Sequence, residues 1–270
     1  GVTAFMPPVH LADIDGDGSV EVLLLAQTGE GLLHSTLHCV DAGGRGRWTF
    51  EPGDALSFGG QAFGVPSFMP WVTAAKDPGG GASIWVTAHH PVEYPSITYR
   101  LSATGGVVAR YVSNGRIDKV RVADVGGRPL VMLAGVNNER EAASLAVFDL
   151  DGVGGAAPAE TAAYRCDGCE PGVPDQYLLF PATSVGALRG GMPNVGEVVV
   201  TESGDVFVSV IQHKVMLPGD SSFSHAVTNY RLDSSFRVID ADFTGQYAPI
   251  HDHFLSPRRT SRRFAASALE

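Results

Sequence analysis

Residues 11–24 read Leu-Ala-Asp-Ile-Asp-Gly-Asp-Gly-Ser-Val-Glu-Val-Leu-Leu, and no other stretch of the chain is as chemically specific. Asp13, Asp15, Asp17 and Glu21 supply four carboxylates, and the two glycines among them let the backbone turn sharply. Calcium takes about six to eight oxygen ligands and tolerates variable geometry. A short loop with Asp at positions 1, 3 and 5, a carbonyl at 7 and a carboxylate at 9 can therefore surround a calcium ion.

The pattern is not that of an EF-hand. An EF-hand loop that began at Asp13 would need a bidentate Glu at its twelfth position, and Leu24 stands there. The flanking segments are short, apolar and rich in Val and Leu, which is typical of buried strands rather than of amphipathic helices. We therefore predict a loop that joins two strands. The alternative is a solvated acidic turn, since Asp and Gly both favour turns.

This stretch resembles the calcium loop of FG-GAP/VCBS repeats, the blades of integrin-alpha-like β-propellers. The resemblance is strong over this one repeat and weak over the rest of the chain. In that family the carboxylates at loop positions 1, 3, 5 and 9 and the carbonyl at position 7 hold calcium. The resemblance thus implies a site formed by Asp13, Asp15, Asp17, Glu21 and the carbonyl oxygen of Ser19, with Glu at a position that is usually Asp.

The chain repeats this unit in degenerate form. Strand, glycine-containing loop and strand recur at 72–88, 120–133 and 184–200. A second motif, typical of a hairpin, follows each unit, at 37–44, 99–106, 148–152 and 230–235. The two series have nearly the same spacing. In the first, Asp13, Ala75 and Asp124 are 62 and 49 residues apart. In the second, Asp41, Ser102 and Asp151 are 61 and 49 residues apart. Each unit supplies about four short strands, which is one propeller blade.

We predict an all-β fold, a β-propeller of four or five four-stranded blades, in a single domain over residues 1–256. The predicted blades lie near 9–50, 69–112, 118–165 and 178–243. A fifth blade has candidate strands at 206–211, at 2–6 and after Thr244. The strand at 2–6 could instead close the ring by pairing with the last blade.

Only the first unit keeps its ligands. Ala75, Gly79 and Ser83 take the ligand positions in the second unit, the third keeps Asp124 and the fourth keeps Glu197. A single carboxylate does not displace the water shell of the ion. We therefore expect one calcium ion, and turn or strand-end roles for the isolated carboxylates.

Composition agrees with this fold and excludes some partners. The chain has 270 residues with 33 Gly, 17 Pro and 44% hydrophobic residues, as in a compact, turn-rich all-β protein that buries a full core. A net charge of -10 argues against a nucleic-acid partner, which would need a basic face. No run of about 18 apolar residues exists, so we expect no membrane span.

Residues 257–270 form a basic tail that we expect to be disordered. A sharper interpretation makes it a tether to an acidic partner, or a kinase site at Thr260 or Ser261. The sequence begins with Gly1, which indicates an excised domain or a mature fragment. The family resemblance implies an extracytoplasmic location, periplasmic or at the cell surface, within a larger bacterial membrane or regulatory protein.

The cysteines allow several states. Cys166 and Cys169 form a Cys-Asp-Gly-Cys pair, and Cys39 is the third cysteine. The pair can form a local disulfide or remain as free thiols, while a zinc site would have to recruit histidines. A thioredoxin-like role lacks its βαβ context.

Two further features could serve a ligand. His251 and His253 would share one face of an extended segment and could hold a transition metal, although such pairs are more often hydrogen-bonded surface groups. Residues 58–71 form an aromatic and glycine-rich connection between predicted blades. Its aromatic side chains could build a ligand rim, or they could pack between blades.

The sequence gives little indication of catalysis: there is no Gly-x-Ser-x-Gly elbow, no His-Glu-x-x-His and no phosphate-binding glycine loop that opens a helix. The first hypothesis is a non-enzymatic propeller with one structural calcium ion that recognises a protein or a glycan. The alternative is a polysaccharide hydrolase or lyase on a propeller scaffold, and a third possibility is an architectural module with no ligand beyond calcium. A deep pocket with two or more opposed carboxylates away from the calcium loop would favour the enzyme.

Overall fold

The computed structural model describes residues 9–28, 34–77, 82–90, 95–187, 192–215 and 224–255. Over these ranges the protein is all-β, as predicted, with four large sheets and a two-stranded hairpin. The predicted strand at 2–6 and the basic tail at 257–270 lie outside the described residues. Each large sheet is built on four antiparallel strands, so their connections fall alternately at two opposite ends, and the second sheet has a fifth, two-residue strand that pairs in parallel.

The first sheet matches the predicted unit at 9–50. Its strands, in spatial order, are β1 (Val9–Ala12), β2 (Glu21–Thr28), β3 (His34–Val40) and β4 (Gly46–Phe50). Burial alternates along β3, so every second side chain enters the core. The β3–β4 turn is the predicted hairpin, in which Asp41 Oδ1 accepts hydrogen bonds from the backbone amides of Gly43 and Arg45, both at 2.9 Å.

A hairpin then leads to the second and third sheets. The hairpin is β5 (Leu56–Phe58) and β6 (Gln61–Gly64). The second sheet contains β7 (Phe68–Lys76), β8 (Ala82–His89), β9 (Ser96–Leu101) and β10 (Val107–Ser113). The third contains β11 (Ile117–Val125), β12 (Arg128–Asn137), β13 (Ala142–Asp149) and β15 (Gln176–Phe180).

The predicted boundary between the third and fourth units was wrong. After β13 the chain leaves its sheet, and β14 (Gly155–Ala156) pairs in parallel with β10 of the second sheet. Only then does β15, which the prediction gave to the fourth unit, return to pair with β13. Gly155 permits this detour, because a Cβ there would lie 2.5 Å from the backbone nitrogen of Gly172. We call residues 157–175 the strap.

The fourth sheet differs from the predicted unit at 184–200. Its strands are β16 (Asn194–Val200), β17 (Val206–Val215), β18 (Ser224–Leu232) and β19 (Val238–Phe243). The segment Ser184–Ala187 is a short helix, α1, and not a strand, and Thr183 stands at its start with its Oγ1 accepting from Gly186 N at 3.5 Å. The loop equivalent to residues 13–20 is therefore 201–205, and Glu197 does not correspond to Glu21.

Two of the candidate segments for a fifth blade belong to other elements. Residues 206–211 belong to β17, and the segment after Thr244 contains helix α2 (Tyr247–Leu255). Ile250 of this helix packs with Val185 of α1 and Ala226 of β18 in a small apolar cluster.

Three larger apolar clusters lie between successive sheets. One joins the first sheet to the second through side chains such as Leu23 and Ile84, and another joins the second to the third around Trp85. The last joins the third to the fourth, where Met132 is fully buried. Across the described ranges no such cluster joins the fourth sheet to the first. The second and third sheets are thus buried on both faces, while the first and fourth each leave one face exposed.

Two ends of the sheets carry the connections. We call the end with the β1–β2, β7–β8, β11–β12 and β16–β17 connections the first rim. We call the end with the β8–β9, β10–β11 and β12–β13 connections the second rim. The acidic loop at 13–20 therefore lies on the first rim.

Candidate metal centre

The carboxylates of the β1–β2 loop organise its backbone. Asp13 Oδ1 accepts a hydrogen bond from Gly16 N at 2.7 Å, and its Oδ2 accepts one from Gly18 N at 3.0 Å. Gly16 and Gly18 have φ values of 77° and 86°, which glycine adopts without steric cost. These Asx-type contacts fold the loop around the first carboxylate.

Three of the predicted ligands come together. One carboxylate oxygen each from Asp13, Asp15 and Glu21 lies within 4.8 Å of the others, so the three could hold a metal ion. Glu21 is 2% exposed, and its Oε2 accepts a hydrogen bond from Ile14 N at 3.1 Å. The pairing of Ala12 with Glu21 at the β1–β2 junction brings this distant carboxylate back to the start of the loop.

Asp17 is not among the three clustered side chains. Asp17 Oδ1 accepts a hydrogen bond from Ser19 N at 2.6 Å, and the Asp17 side chain is exposed. The carboxylate of Asp17 therefore stabilises the turn, and the carbonyl oxygen of Ser19 stays a predicted ligand.

Sequence reasoning missed Arg47, which contacts two of the three clustered carboxylates. Its Nη2 lies 2.7 Å from Asp15 Oδ2 and its Nη1 lies 2.8 Å from Glu21 Oε1. The hydrogen bond from Arg47 lowers the pKa of Asp15, and the same contact raises the pKa of Arg47. Arg47 is 32 residues from Asp15. Only the return of the chain in β4 brings them together, so no local pattern could have indicated it.

The donor set fits a hard divalent cation, because carboxylate oxygens are the ligands that calcium prefers. Three carboxylates supply fewer than the ~6–8 oxygens that calcium takes, so backbone carbonyls and water would complete the shell. A cation bound here would share Asp15 and Glu21 with Arg47 or displace it. Beside the loop lies a cavity of about 460 Å³, lined by Asp13, Gly16 and Lys76 among several alanines, which gives access from solvent.

The degenerate units use their carboxylates as turn and ion-pair residues. Asp124 Oδ1 accepts a hydrogen bond from Gly127 N at 2.8 Å, which stabilises the β11–β12 turn. Asp77, in the second unit, pairs with Arg100 at 3.2 Å. In the part of the chain that the structure describes, the cluster on the β1–β2 loop is the one group of three or more ligand side chains.

The predicted histidine pair was wrong in its geometry. His251 and His253 lie in helix α2 and not in an extended segment. Residues two apart on a helix do not share a face, so these two do not converge on one ion. His251 Nδ1 instead lies 3.5 Å from Asp252 Oδ1.

Cys166 and Cys169 form a disulfide, which was one of the predicted states. Cys39 is a buried free thiol, and burial raises its pKa to about 11. A thiol with so high a pKa stays protonated and unreactive near neutral pH.

A second cavity, of about 390 Å³, tests the enzyme alternative. Asp54, Asp167 and Glu170 line it together with Arg110. Asp54 forms an ion pair with Arg110 and accepts a hydrogen bond from Tyr99 Oη at 3.1 Å, and Asp167 Oδ2 accepts one from Gly60 N at 2.8 Å. Two of the three carboxylates are thus engaged in structural contacts. This arrangement differs from a free acid and base pair that faces a substrate.

Comparison with known proteins shows no family. No family model matches the chain, and no curated protein matches it. MPT-4, a mannose phosphorylase from Leishmania mexicana solved with phosphate ion, is 13% identical, covers 87% of this chain and 68% of its own, and has a TM-score of 0.42. MPT-1, a GDP-Man-dependent mannosyltransferase from the same organism, is 10% identical over 85% and 65%, with a TM-score of 0.38.

A member of the DUF4221 family from Bacteroides vulgatus ATCC 8482 is 11% identical over 86% of this chain and 66% of its own, with a TM-score of 0.35. Likenesses at this level carry no argument about activity. Among the described helices, none is long and apolar enough to cross a membrane.

Proposed function

We propose that the protein is a calcium-stabilised β-propeller of the FG-GAP type that recognises a protein or a glycan without catalysis. The observation that carries the proposal is the convergence of Asp13, Asp15 and Glu21 on a loop folded around left-handed glycines. The four successive sheets support a propeller, because β1 packs against β7, β7 against β11 and β11 against β16. In this proposal the four sheets form an arc of the ring. The exposed faces of the first and fourth sheets face each other across the part of the ring that the arc leaves open.

Calcium in this proposal is structural. Bound to the loop, it would offset the mutual repulsion of the carboxylates and tie β1 to β2, with stability rising with free calcium by mass action. Arg47 performs part of the same task, since it pairs with two of these carboxylates. The folded state therefore does not depend on calcium alone, and calcium adds to a loop that Arg47 already holds.

We also propose an extracytoplasmic location. The Cys166–Cys169 disulfide supports it, because disulfides persist in oxidising compartments. A loop with three clustered carboxylates that shares its charge with an arginine is suited to the high calcium levels outside the cytoplasm, where modules bind with Kd of about 10⁻⁴–10⁻³ M.

The test is a thermal melt in EDTA, in calcium and in magnesium. We expect calcium to raise the melting temperature and magnesium to raise it less, because magnesium demands stricter octahedral geometry. Asp15→Ala should abolish the calcium response and leave the fold recognisable by circular dichroism. Asp240→Ala, an exposed carboxylate on β19, is the matched control and should respond as the wild type does. Equal melting in EDTA and calcium would exclude the calcium site.

The hydrolase or lyase stays the second candidate because three carboxylates line the cavity of about 390 Å³. Reducing-sugar assays on soluble polysaccharides distinguish the two. We expect no release of sugar by the wild type. Turnover that Glu170→Gln abolishes would replace the recognition function with an enzymatic one.

A further inference from the structure

A cavity on the second rim carries a set of side chains that the calcium site does not use. This second-rim cavity, of about 230 Å³, lies between the β5–β6 hairpin, the strap and the loops that follow β10 and β12. Three aromatic rings and three amides line it, namely Phe58, Phe63, Tyr164, Gln61, Asn114 and Asn138. Among the residues that the structure describes, none of those lining it is charged.

Asn114 is the residue that marks this cavity as a binding site. It is 5% exposed, and neither its Nδ2 nor its Oδ1 has a hydrogen-bond partner within the described ranges of the chain. Asn138 Oδ1, on the same cavity, is also buried and unpartnered. A buried amide without partners is destabilising, so such groups in native proteins point to a ligand or to solvent that completes them.

A neighbouring asparagine shows what a purely structural role looks like. Asn137 is 2% exposed, but its Nδ2 donates to Tyr177 Oη at 2.9 Å and its Oδ1 accepts from Arg140 N at 2.9 Å. The loop of Asn114 is equally fixed, because a Cβ on Gly115 would lie 2.0 Å from the carbonyl oxygen of Val136. The backbone beside Asn114 is therefore fixed, while its buried amide lacks a partner among the described residues.

The aromatic wall is also held in place. Phe58 and Phe63 pack edge to face with centroids 6.0 Å apart, and Phe58 is almost fully buried. Gly59 N donates to Arg165 O at 3.1 Å, and a Cβ on Gly59 would lie 2.7 Å from Ala163 Cα. This close approach presses the strap, with Tyr164, onto the hairpin.

We propose that the second-rim cavity binds one ring of a neutral glycan. Aromatic rings can cover the apolar C–H face of a sugar, while amides, which both donate and accept hydrogen bonds, match its hydroxyl groups. The described lining of this cavity consists of aromatic, apolar and amide groups, which suits a neutral ligand, because a desolvated charge needs an oppositely charged partner. The volume lies below the ~300–1,000 Å³ of pockets for drug-sized ligands, which suits a single ring.

A smaller cavity adjoins the second-rim cavity. It measures about 190 Å³, shares Asn138 with the second-rim cavity and is lined also by Arg116 and Asn194. A second sugar ring would lie here. The inference rests on the proposed recognition function and names its ligand class and its place, on the rim opposite the calcium loop.

The experiment is a titration of the calcium-saturated protein with methyl glycosides of glucose, galactose, mannose, fucose, xylose and N-acetylglucosamine, followed by saturation-transfer NMR and calorimetry. We expect at least one to bind saturably, and its β-linked or α-linked disaccharide to bind more tightly. Asn114→Ala should weaken binding about tenfold or more, because two hydrogen bonds are lost. Asn138→Ala tests the same cavity from a half-buried loop position.

The melting temperature of the free protein distinguishes a ligand-binding asparagine from one with a structural role. Asn114→Ala removes an unpartnered amide, so the melting temperature of the free protein should stay the same or rise. Asn229→Ala is the matched control, since its amide oxygen accepts from Ser209 Oγ at 2.7 Å on the fourth sheet. That variant should bind sugar as the wild type does.

The outcomes separate this inference from the proposed function. Saturable binding that Asn114→Ala weakens, with or without a calcium response, supports the glycan site. No binding of any glycoside by a protein that does respond to calcium overturns the glycan site and leaves the calcium proposal standing. Equal binding by wild type and by both cavity variants also overturns it.

Discussion

At the scale of single residues, Arg47 and the loop carboxylates determine how the first rim responds to ions. Asp15 and Glu21 would repel one another and Asp13 in a bare loop, and the guanidinium between them reduces this repulsion. In the proposed site a cation and Arg47 would therefore compete for the same two carboxylates.

We expect Arg47→Gln to lower the melting temperature in EDTA and to enlarge the rise caused by calcium. The variant lacks the guanidinium charge that pairs with Asp15 and Glu21. The carboxylates then repel one another more strongly, and bound calcium would relieve a larger repulsion. Thermal melts across a calcium titration measure both effects. Arg45→Gln, which removes an exposed arginine paired with Asp41, is the control and should change neither. A variant that is destabilised but not rescued by calcium would show that Arg47 alone neutralises the loop.

The depressed pKa of Asp15 predicts a dependence on pH. A carboxyl whose pKa is lower in the folded than in the unfolded state contributes stability above its ordinary pKa of about 3.9, and that contribution is lost as pH falls through the folded value. The stability difference between wild type and Arg47→Gln in EDTA should thus be constant near neutral pH and shrink below about pH 4. Urea unfolding from pH 3 to 7 measures it. A difference that grows in acid would contradict the assignment.

At the scale of elements, the strap joins three parts of the fold. Asp167 N donates to Ser57 O at 2.9 Å, and Gly172 N donates to Ala156 O at 2.8 Å, so the strap pairs with β5 and with β14. The disulfide closes a turn of only four residues inside it. A short loop loses little entropy on closure, so the cross-link stabilises the strap locally rather than the whole chain.

We expect replacement of Cys166 and Cys169 by alanine together to cost about 2 kcal/mol of unfolding free energy. Urea unfolding measures this loss, and reduction of the wild type by dithiothreitol should reproduce it. Dithiothreitol should not change the double variant further, because Cys39 is a free thiol already. The calcium response, on the opposite rim, should be unaffected. No change in stability would mean that the hydrogen bonds of the strap suffice without the cross-link.

At the scale of the whole molecule, the two terminal sheets differ from the two between them. Leu11 on β1 is 68% exposed, whereas Leu23 on β2 is fully buried against the second sheet. On the fourth sheet Val199 and Phe207 are likewise partly exposed. The exposed faces are apolar in part, and large contiguous apolar patches are rarely left uncovered on soluble monomeric proteins.

We expect Leu11→Ser to change the unfolding free energy by no more than about 0.5 kcal/mol, because the side chain is already in solvent. Leu23→Ala should cost about 2–5 kcal/mol, since it leaves a cavity between two sheets. Chemical unfolding of both variants gives the comparison. A loss for Leu11→Ser close to that for Leu23→Ala would show that the first sheet is covered in solution.

Much of the fold followed from local patterns. Alternating apolar residues and glycine turns predict antiparallel hairpins, and the unit at 9–50 matches the first sheet from Val9 to Phe50. The same logic failed after Asp149, where the chain leaves the third sheet and β14 pairs with β10 of the second, and at Ser184, where a helix replaces a strand. Both failures depend on contacts with distant chain, through Gly172 in one case and Gln212, whose Oε1 accepts from Thr183 N, in the other.

The sequence by itself determined the all-β class, the strand pairs and the loop that gathers carboxylates, because these depend on side-chain alternation, turn residues and neighbours within a few positions. Only the tertiary structure decided that Arg47 shares the cluster, that Asp17 does not join it and that Asn114 faces a cavity with unpartnered atoms. These features arise where segments far apart in the chain meet, and the interactions between them are set by packing rather than by any local pattern.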